Sequence, residues 1–136
     1  MARKGKYTPK AFESDGRSND TSANIYESML TSEAWKDLSS QERDMYICMK
    51  AQYYGKRKPS KDKQYKELPS VSIDETCFWF PYNYTKKYGL PTNKKDFYKR
   101  IKNLINHGFI QSVINGKCNQ QNSVYKLSSN WKYWKK

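Results

Sequence analysis

The segment from Thr92 to Ile110 has the clearest pattern of apolar and polar positions in the chain. Its apolar residues fall at i, i+4, i+7 and i+8, which is one face of an α-helix. These residues are Phe97, Ile101, Leu104 and Ile105. Because a helix advances about 100° per residue, the opposite face carries Lys95, Lys99, Lys102 and Asn106. The pattern predicts a helix, capped by Thr92, that packs one side on a core and presents cations on the other.

A second helical region is predicted from Ile25 to Tyr54. Within it, Ser39 and Glu42 have the spacing of a capping box, in which each side chain bonds the other residue's backbone N–H. The apolar residues that follow recur at helical spacing, which is far more common in a core than in a ligand site. They are Met45, Cys48, Met49 and Tyr53. Gly55 is the expected end of this helix.

A strand and a short helix are predicted between these two helical regions. Residues Cys77–Tyr82 are apolar and aromatic, which predicts a strand with Pro81 at its end or at a sheet edge. The segment Asn83–Gly89 is long enough for a short helix, and the G-L-P sequence that starts at Gly89 predicts a tight turn. A short helix, a turn and a longer basic helix in this order are typical of a helix-turn-helix.

The pattern changes from helical to alternating after the basic helix. Gly108 is the expected helix stop, and Phe109–Asn115 predicts a strand. A polar loop, Gly116–Asn122, separates it from a second strand, Ser123–Ser128, whose residues alternate between a polar and an apolar face. Val124, Lys126 and Ser128 form the predicted polar face, and Tyr125 and Leu127 form the apolar one. The two strands predict a β-hairpin.

Each of three basic segments allows two interpretations. Residues 1–24 have few apolar positions, which predicts a flexible basic arm that is either solvated or in contact with phosphates. The basic loop 56–67 is either a connector or a second phosphate contact. The end of the chain, Trp131 and the tail 132–136, combines lysines with aromatic rings that could stack on bases. At least one tryptophan is expected to fold back on the scaffold instead, because exposed aromatic tails are sticky.

The composition favours a polyanionic partner. Only 36% of the 136 residues are hydrophobic, although 15% are aromatic, so one small core built on large side chains is expected. The formal net charge of +13 is an excess that repels itself and that a nucleic acid would neutralise. An anionic membrane surface is the second candidate, but no apolar run approaches the ~20 residues of a membrane span. The basic start of the chain lacks a following apolar run, so no signal peptide and a cytoplasmic location are expected.

Residue types that carry catalysis or bind metals are sparse. The cysteines Cys48, Cys77 and Cys118 are scattered, and His107 is the one histidine. No cysteine is in a C-x-x-C pair, so neither a zinc site nor a disulfide framework is expected, and Cys48 and Cys77 are predicted core residues. His107 precedes the helix stop, where a positive charge is favourable. With no clustered carboxylates and no Gly-rich phosphate loop, the sequence predicts a protein that is not an enzyme and needs no cofactor.

Four short motifs occur in order along the chain. They are L-S-x-x-x-R at Leu38–Arg43, Y-G-L-P at Tyr88–Pro91, L-I-x-x-G-F-I at Leu104–Ile110 and Y-x-L-S-x-x-W at Tyr125–Trp131. In this order the motifs resemble the winged helix-turn-helix proteins of AT-rich bacterial plasmids, phages and conjugative transposons. The resemblance implies an α+β fold, with a three-helix core and a C-terminal β-hairpin wing, over a domain of residues 25–131.

In that family the third helix enters the major groove of DNA, and the wing lies on the backbone or in the minor groove. Carried over, residues 93–106 are the recognition helix and residues 115–122 are the wing. The implied DNA-binding residues of the helix are Asn93, Lys94, Lys95, Tyr98, Lys99, Arg100, Lys102, Asn103 and Asn106. Those of the wing are Lys117, Asn119, Gln120 and Gln121. Asparagine and glutamine can pair with adenine, but a face made mostly of lysine grips phosphate better than it reads bases.

The expected function is duplex-DNA binding by a non-enzymatic protein of a mobile genetic element, accessory to replication initiation or conjugative transfer at an origin. Double-stranded DNA is the expected partner, and a relaxase, a replication protein and a second copy of the chain are further candidates. A transcriptional regulator of the same fold is one alternative, and a winged helix that binds RNA or a protein is another. For the lysine-rich face alone, a solvated surface is the plain interpretation.

Overall fold

The computed structural model describes residues 8–17, 20–55, 58–61, 73–114 and 123–136. Five α-helices and three β-strands lie in these residues, so the fold is α+β, as predicted. The helices are α1 (Glu27–Leu30), α2 (Glu33–Asp37), α3 (Ser40–Tyr53), α4 (Tyr84–Lys87) and α5 (Lys94–Asn106), and the strands are β1 (Cys77–Trp79), β2 (Ile110–Ile114) and β3 (Val124–Leu127). Two 3-10 helices are Pro59–Lys61 and Asn130–Tyr133.

α3 begins with the predicted capping box. The Ser39 hydroxyl accepts a hydrogen bond from the Glu42 N–H at 3.2 Å, and the Glu42 carboxylate accepts one from the Ser39 N–H at 2.9 Å. These bonds satisfy backbone N–H groups that have no partner within the helix. The apolar stripe of α3 lies in the core, where Met45 and Met49 are almost completely buried, and the helix ends shortly before Gly55.

The region before α3 contains two further short helices, α1 and α2, in addition to the three helices of the predicted core. Thr31 and Ser32 separate α1 from α2, and the Ser32 hydroxyl caps α2 by accepting a hydrogen bond from the Trp35 N–H at 3.2 Å. The Trp35 ring packs edge-on against Tyr46 and Phe109, with ring centroids 5.9 Å apart in both pairs. The large buried ring of Trp35 therefore packs α2 against the core.

The three strands form one antiparallel sheet in the order β1-β3-β2. β2 and β3 are the predicted hairpin, with Ser112 opposite Tyr125, and β1 pairs with the other side of β3, where Phe78 lies opposite Tyr125. All three strands are slightly shorter than predicted. β1 ends early because the chain turns at Pro81, whose carbonyl accepts a hydrogen bond from the Tyr84 N–H at 2.9 Å as α4 begins.

Both faces of the sheet carry buried apolar side chains. One face packs on the helices through Phe78, Ile110 and Tyr125. The other face holds a second cluster of Cys77, Trp79, Ile114 and Val124. Val124 is 0% exposed, so its predicted place on a polar face is wrong. The reason is β1, a strand distant in sequence, which places Trp79 directly opposite Val124.

The C-terminal segment, residues 130–136, folds back on the end of α5. The Trp131 ring stacks on Phe109 with centroids 6.1 Å apart, and the Trp131 N–H donates to the Gly108 carbonyl at 3.0 Å. Trp134 stacks on His107 with centroids 4.4 Å apart. The expectation that at least one tryptophan folds back on the scaffold is confirmed, and it holds for both.

Gly108 is required at this contact for two reasons. Its φ of +85° lies in the left-handed region, which favours glycine. A Cβ on Gly108 would also lie 2.6 Å from the carbonyl carbon of Asn130 and from the nitrogen of Trp131. The predicted helix stop is therefore also a point of close approach between the C-terminal segment and the end of α5.

The described part of the predicted N-terminal arm contains no helix or strand, as expected. Residues 1–7 and most of the basic loop 56–67 lie outside the described residues. The end of the arm is attached to α3, because the Lys50 ammonium donates to the Asn24 carbonyl at 2.5 Å. Burial lowers the pKa of Lys50.

Candidate nucleic-acid interface

The turn between α4 and α5 sets the direction of α5. Gly89 has a φ of +66°, which glycine adopts without strain at a helix end. The Leu90 N–H donates to the Thr85 carbonyl at 2.9 Å and closes the end of α4. The Tyr88 hydroxyl accepts a hydrogen bond from the Gln52 side chain at 2.7 Å, which ties the turn to α3. The predicted order of short helix, turn and basic helix is present.

α5 begins one residue later than predicted, because its N-cap is Asn93 and not Thr92. The Asn93 oxygen accepts a hydrogen bond from the Asp96 N–H at 2.8 Å, and its amide nitrogen donates to the Asp96 carboxylate at 3.3 Å. The Thr92 hydroxyl instead donates to the Asn93 carbonyl at 3.1 Å. Both ends of the Asn93 amide are therefore engaged in starting the helix, although it was a predicted DNA contact.

The predicted apolar face of α5 anchors the helix in the core. Phe97 and Leu104 are 0% exposed and Ile101 is 6% exposed. The Phe97 ring stacks on Phe80 with centroids 6.2 Å apart and meets the edge of Tyr82 at 5.4 Å. Since this packing fixes the rotation of α5 about its axis, the opposite face points away from the core.

That opposite face presents cations that lack counter-charges. Lys95, Lys99, Lys102 and Asn106 on this face are exposed, and Lys94 is exposed at the start of the helix. Among the described residues, no carboxylate lies within ion-pair distance of these four lysines. The carboxylate of α5, Asp96, lies in its first turn, where it interacts favourably with the helix dipole. The face therefore carries a local excess of positive charge.

Arg100 lies on the flank of α5 and reaches toward α3. One guanidinium nitrogen donates to the Gln41 side-chain oxygen at 3.0 Å, and another donates to the Pro91 carbonyl at 3.4 Å. These bonds join α5 to the start of α3 and to the turn before α5. Arg100 is a predicted DNA contact, and the structure gives it a bracing role.

Asn103 is joined to the capping box of α3. Its amide nitrogen donates to one Glu42 oxygen at 2.8 Å, while the other oxygen of that carboxylate accepts the Ser39 N–H. Because an ionised carboxylate only accepts, the contact fixes which end of the amide faces Glu42. Glu42 is 8% exposed. Sequence reasoning found Glu42 as a cap and missed this second contact, which spans 61 positions.

α3 and α5 border a shallow groove of about 530 Å³. It is lined by three cations, two amides and two carboxylates, namely Lys99, Arg100, Lys102, Asn103, Asn106, Glu42 and Asp96. Cofactor pockets are mostly apolar, so this lining is unlike them. Hydrogen-bond donors and acceptors lie side by side in this groove, so it suits a partner that has both charged groups and polar edges.

The remaining predicted site residues do not line this groove. Lys94 and Lys95 are exposed at the start of α5, and Asn93 caps it. Tyr98 is half-buried and meets the edge of Phe97 with ring centroids 5.0 Å apart. The four predicted wing contacts lie outside the described residues. They are Lys117, Asn119, Gln120 and Gln121.

His107 has a structural environment at the C-terminal end of α5. Its Nδ1 lies 2.8 Å from the Asn103 carbonyl and its Nε2 lies 2.8 Å from the Asp37 carboxylate. The ring is therefore held from two sides, by the last turn of α5 and by α2. Hydrogen bonds from His107 and then from Lys136 hold the pKa of Asp37 below its ordinary value.

The described residues contain no group of three or more His, Cys, Asp or Glu side chains that could hold a metal ion. Cys77 is buried, and burial raises the pKa of the half-buried Cys48 thiol to about 11, in line with their predicted places in the core. Cys118 lies outside the described residues. No helix within the described ranges is both long enough and apolar enough to cross a membrane.

Comparisons with family models, curated proteins and solved structures gave no match for this chain. The resemblance to winged-helix proteins therefore rests on the four motifs and on the order of helices and strands.

Proposed function

We propose that this chain is a non-enzymatic duplex-DNA-binding protein with a winged helix-turn-helix arrangement. α5 would lie in the major groove, and the hairpin of β2 and β3 would place residues 115–122 on the flanking groove or backbone. The observation that carries the proposal is the face of unpaired lysines on α5, opposite a face held in the core. The α4–turn–α5 order and the hairpin that follows support it, because these are the parts of a winged helix in chain order.

The physical basis is counterion release. Lysines that neutralise DNA phosphates release the cations condensed on the duplex, and this supplies sequence-independent affinity. The 13 residues of α5 span about 20 Å, which is long enough to present lysines to the phosphates on both sides of a major groove about 12 Å wide. Bound phosphates would also relieve the repulsion among the unpaired lysines.

The biological role that we propose rests on the resemblance alone. It is origin binding, during replication initiation or conjugative transfer of a mobile genetic element, with a relaxase or replication protein as the protein partner. A transcriptional regulator of the same fold is the alternative. If the chain forms a homodimer, its target is expected to be a palindrome with half-sites about one helical turn apart.

Charge reversal on α5 tests DNA binding. The triple variant Lys95→Glu, Lys99→Glu, Lys102→Glu is expected to bind a random duplex roughly 100-fold more weakly, or worse, at about 0.1 M salt. Fluorescence anisotropy across a salt series measures this, with single-stranded RNA of the same length as the competing ligand. The wild-type chain is expected to prefer the duplex and to show steep salt dependence.

A matched control reverses the same number of exposed lysines outside α5. It is Lys36→Glu, Lys132→Glu, Lys135→Glu, which changes the net charge equally. This control is expected to keep most of the affinity, and circular dichroism checks that both variants fold. Equal losses in the two triple variants, or wild-type affinity in the α5 variant, would contradict the proposal. Preference for single-stranded RNA would favour the RNA-binding alternative.

A further inference from the structure

The asparagines of α5 differ in how firmly they are held. Lysines are flexible point charges that discriminate poorly among bases, whereas an amide presents an acceptor and a donor in one plane. Asn93 has both ends of its amide engaged in the N-cap. Asn106 is exposed and its side chain has no hydrogen-bond partner among the described residues. Asn103 alone is both oriented by a neighbour and partly available.

The availability of Asn103 follows from counting its hydrogen bonds. Glu42 accepts one of the two N–H groups of the Asn103 amide. Within the described part of the chain, the Asn103 side-chain oxygen and its second N–H have no other partner. That leaves one acceptor and one donor in the groove. The major-groove edge of adenine offers the complement, a donor at N6 and an acceptor at N7.

We propose that Asn103 reads an adenine in the major groove, and that Glu42 is the positioning residue that fixes the Asn103 amide for this contact. The inference rests on the proposed DNA-binding function and deepens it. Glu42 is itself fixed, because its second oxygen accepts the Ser39 N–H at 2.9 Å and it is 8% exposed. The capping box of α3 therefore sets the orientation of a base-reading side chain on α5.

The surroundings of Asn103 favour a base edge over a phosphate at this position. Lys99 and Lys102 line the same groove as Asn103, where they can hold phosphates. The carboxylates of Glu42 and Asp96 line the same groove. They repel phosphate and attract amino hydrogens such as those on adenine N6. The groove thus offers cations that can hold phosphate together with an amide that can read a base.

Preorganisation distinguishes Asn103 from Asn106. The side chain of Asn103 is half-buried and hydrogen-bonded before DNA arrives, so binding removes little further rotamer freedom. Asn106 is exposed and must be ordered on binding. Arg100, the other side chain with base-reading chemistry on α5, is already bonded to Gln41 and Pro91.

Selection of duplexes from a randomised library, read by sequencing, tests the inference. The wild-type chain is expected to enrich adenine at one position. Asn103→Ala is expected to lower discrimination at that position by roughly 5- to 150-fold, the value of one bidentate pair, and to keep affinity for a random duplex within about threefold. The matched control, Asn106→Ala, is expected to keep the same adenine.

Glu42→Gln separates positioning from a purely structural role. Glutamine suits the third helical position of a capping box, but its one oxygen replaces the two that serve Ser39 and Asn103. We expect the adenine preference to weaken while affinity for a random duplex stays the same or rises, because a negative charge is lost. A structural role alone would lower affinity for every duplex together with the melting temperature.

Two results would overturn the inference and leave the proposed function standing. One is that the wild-type chain binds duplexes with steep salt dependence but enriches no base. The other is that Asn103→Ala enriches the same adenine to the same degree. A different result would contradict the proposed function itself. In that case the triple lysine reversal on α5 would leave duplex affinity unchanged.

Discussion

α5 and the C-terminal segment, residues 130–136, are both basic and both contain aromatic rings, yet their cations have different surroundings. The four lysines of α5 have no ion pair with any described residue. In the C-terminal segment, Lys135 pairs with Glu33 at 3.9 Å and Lys136 pairs with Asp37 at 3.3 Å. Trp131 and Trp134 pack on the scaffold beside them.

The number of cations in a segment therefore does not identify a nucleic-acid surface. What separates these two segments is where the carboxylates lie. α2 places Glu33 and Asp37 against the C-terminal segment, whereas Asp96 of α5 is engaged at the N-cap. We therefore expect substitutions in the C-terminal segment to change stability, and substitutions on the exposed face of α5 to change DNA affinity.

The largest expected effect is on stability, from Gly108→Ala at the contact between the two regions. The added Cβ would lie 2.6 Å from backbone atoms of Asn130 and Trp131, and alanine is strained at a φ of +85°. The free energy of unfolding is expected to fall by about 3 kcal/mol or more. Urea denaturation followed by circular dichroism measures it.

Gly89→Ala is the matched control for this substitution. Gly89 also has a positive φ, +66°, but no atom would lie within 4 Å of an added Cβ. Only the backbone strain remains, so a loss of about 1 kcal/mol is expected. Equal losses at Gly108 and Gly89 would mean that the close approach of the C-terminal segment contributes nothing to stability.

Trp131→Ala is expected to have the next largest effect, again on stability. The half-buried Trp131 ring stacks on Phe109, so its removal is expected to cost about 2 kcal/mol of unfolding free energy. The salt dependence of duplex binding is expected to stay unchanged. Trp131→Phe keeps an aromatic ring and should recover most of the stability. Weaker binding of single strands at unchanged stability would instead support base stacking by this segment.

The parts of the fold that could be predicted from the sequence depend on short-range signals. Ser39 and Glu42 form the predicted cap, and the spacing of apolar residues gave the buried face of α5 correctly. The pairing of β1 with β3 could not be predicted, because Trp79 and Val124 meet only in the folded chain. The alternation within β3 suggested one polar face, and packing from a distant strand determined otherwise.

In the candidate site, too, some features could be predicted from the sequence and others could not. The lysine face follows from helical period alone, because opposite faces of a helix are fixed by 3.6 residues per turn. The contacts of Asn103 with Glu42 and of Arg100 with Gln41 join residues 61 and 59 positions apart. They depend on how α3 and α5 pack together, which no local pattern encodes. These long-range contacts determine which side chains of α5 are held by hydrogen bonds to α3 and which have no such contact.

Removing single lysines is expected to have a smaller effect, on the salt dependence of DNA binding. It tests directly whether the lysines of α5 and of the C-terminal segment differ. Lys99→Ala is expected to reduce the slope of log affinity for duplex DNA against log salt by about 0.9, the value of one phosphate contact. Lys135→Ala is the matched removal in the C-terminal segment and is expected to leave the slope unchanged, because Lys135 already faces Glu33. Equal changes in slope would mean that both segments contact phosphates and that the carboxylates of α2 do not distinguish them.

The smallest expected effect is the pH dependence of the ion pairs that hold the C-terminal segment. Hydrogen bonds from His107 and then Lys136 lower the pKa of Asp37, whereas an aspartate in the unfolded chain has a pKa of about 3.9. Since the folded-state pKa is the lower one, this carboxylate stabilises the fold above the unfolded value, and the contribution is lost as pH falls through the folded pKa. Asp37→Asn keeps an oxygen that can accept from His107, removes the charge and replaces the oxygen that faces Lys136 with an amide nitrogen.

The difference in unfolding free energy between the wild-type chain and Asp37→Asn should therefore be present at about pH 5 and shrink below about pH 4. Urea denaturation at a series of pH values measures it. Asp44→Asn, which removes an exposed carboxylate of α3 that has no ion pair with another described residue, is the control and should leave stability almost unchanged at about pH 5. A difference for Asp37→Asn as large at about pH 2.5 as at about pH 5 would mean that the lost charge is not its cause. The charge of Asp37 could then not explain why the C-terminal segment differs from α5.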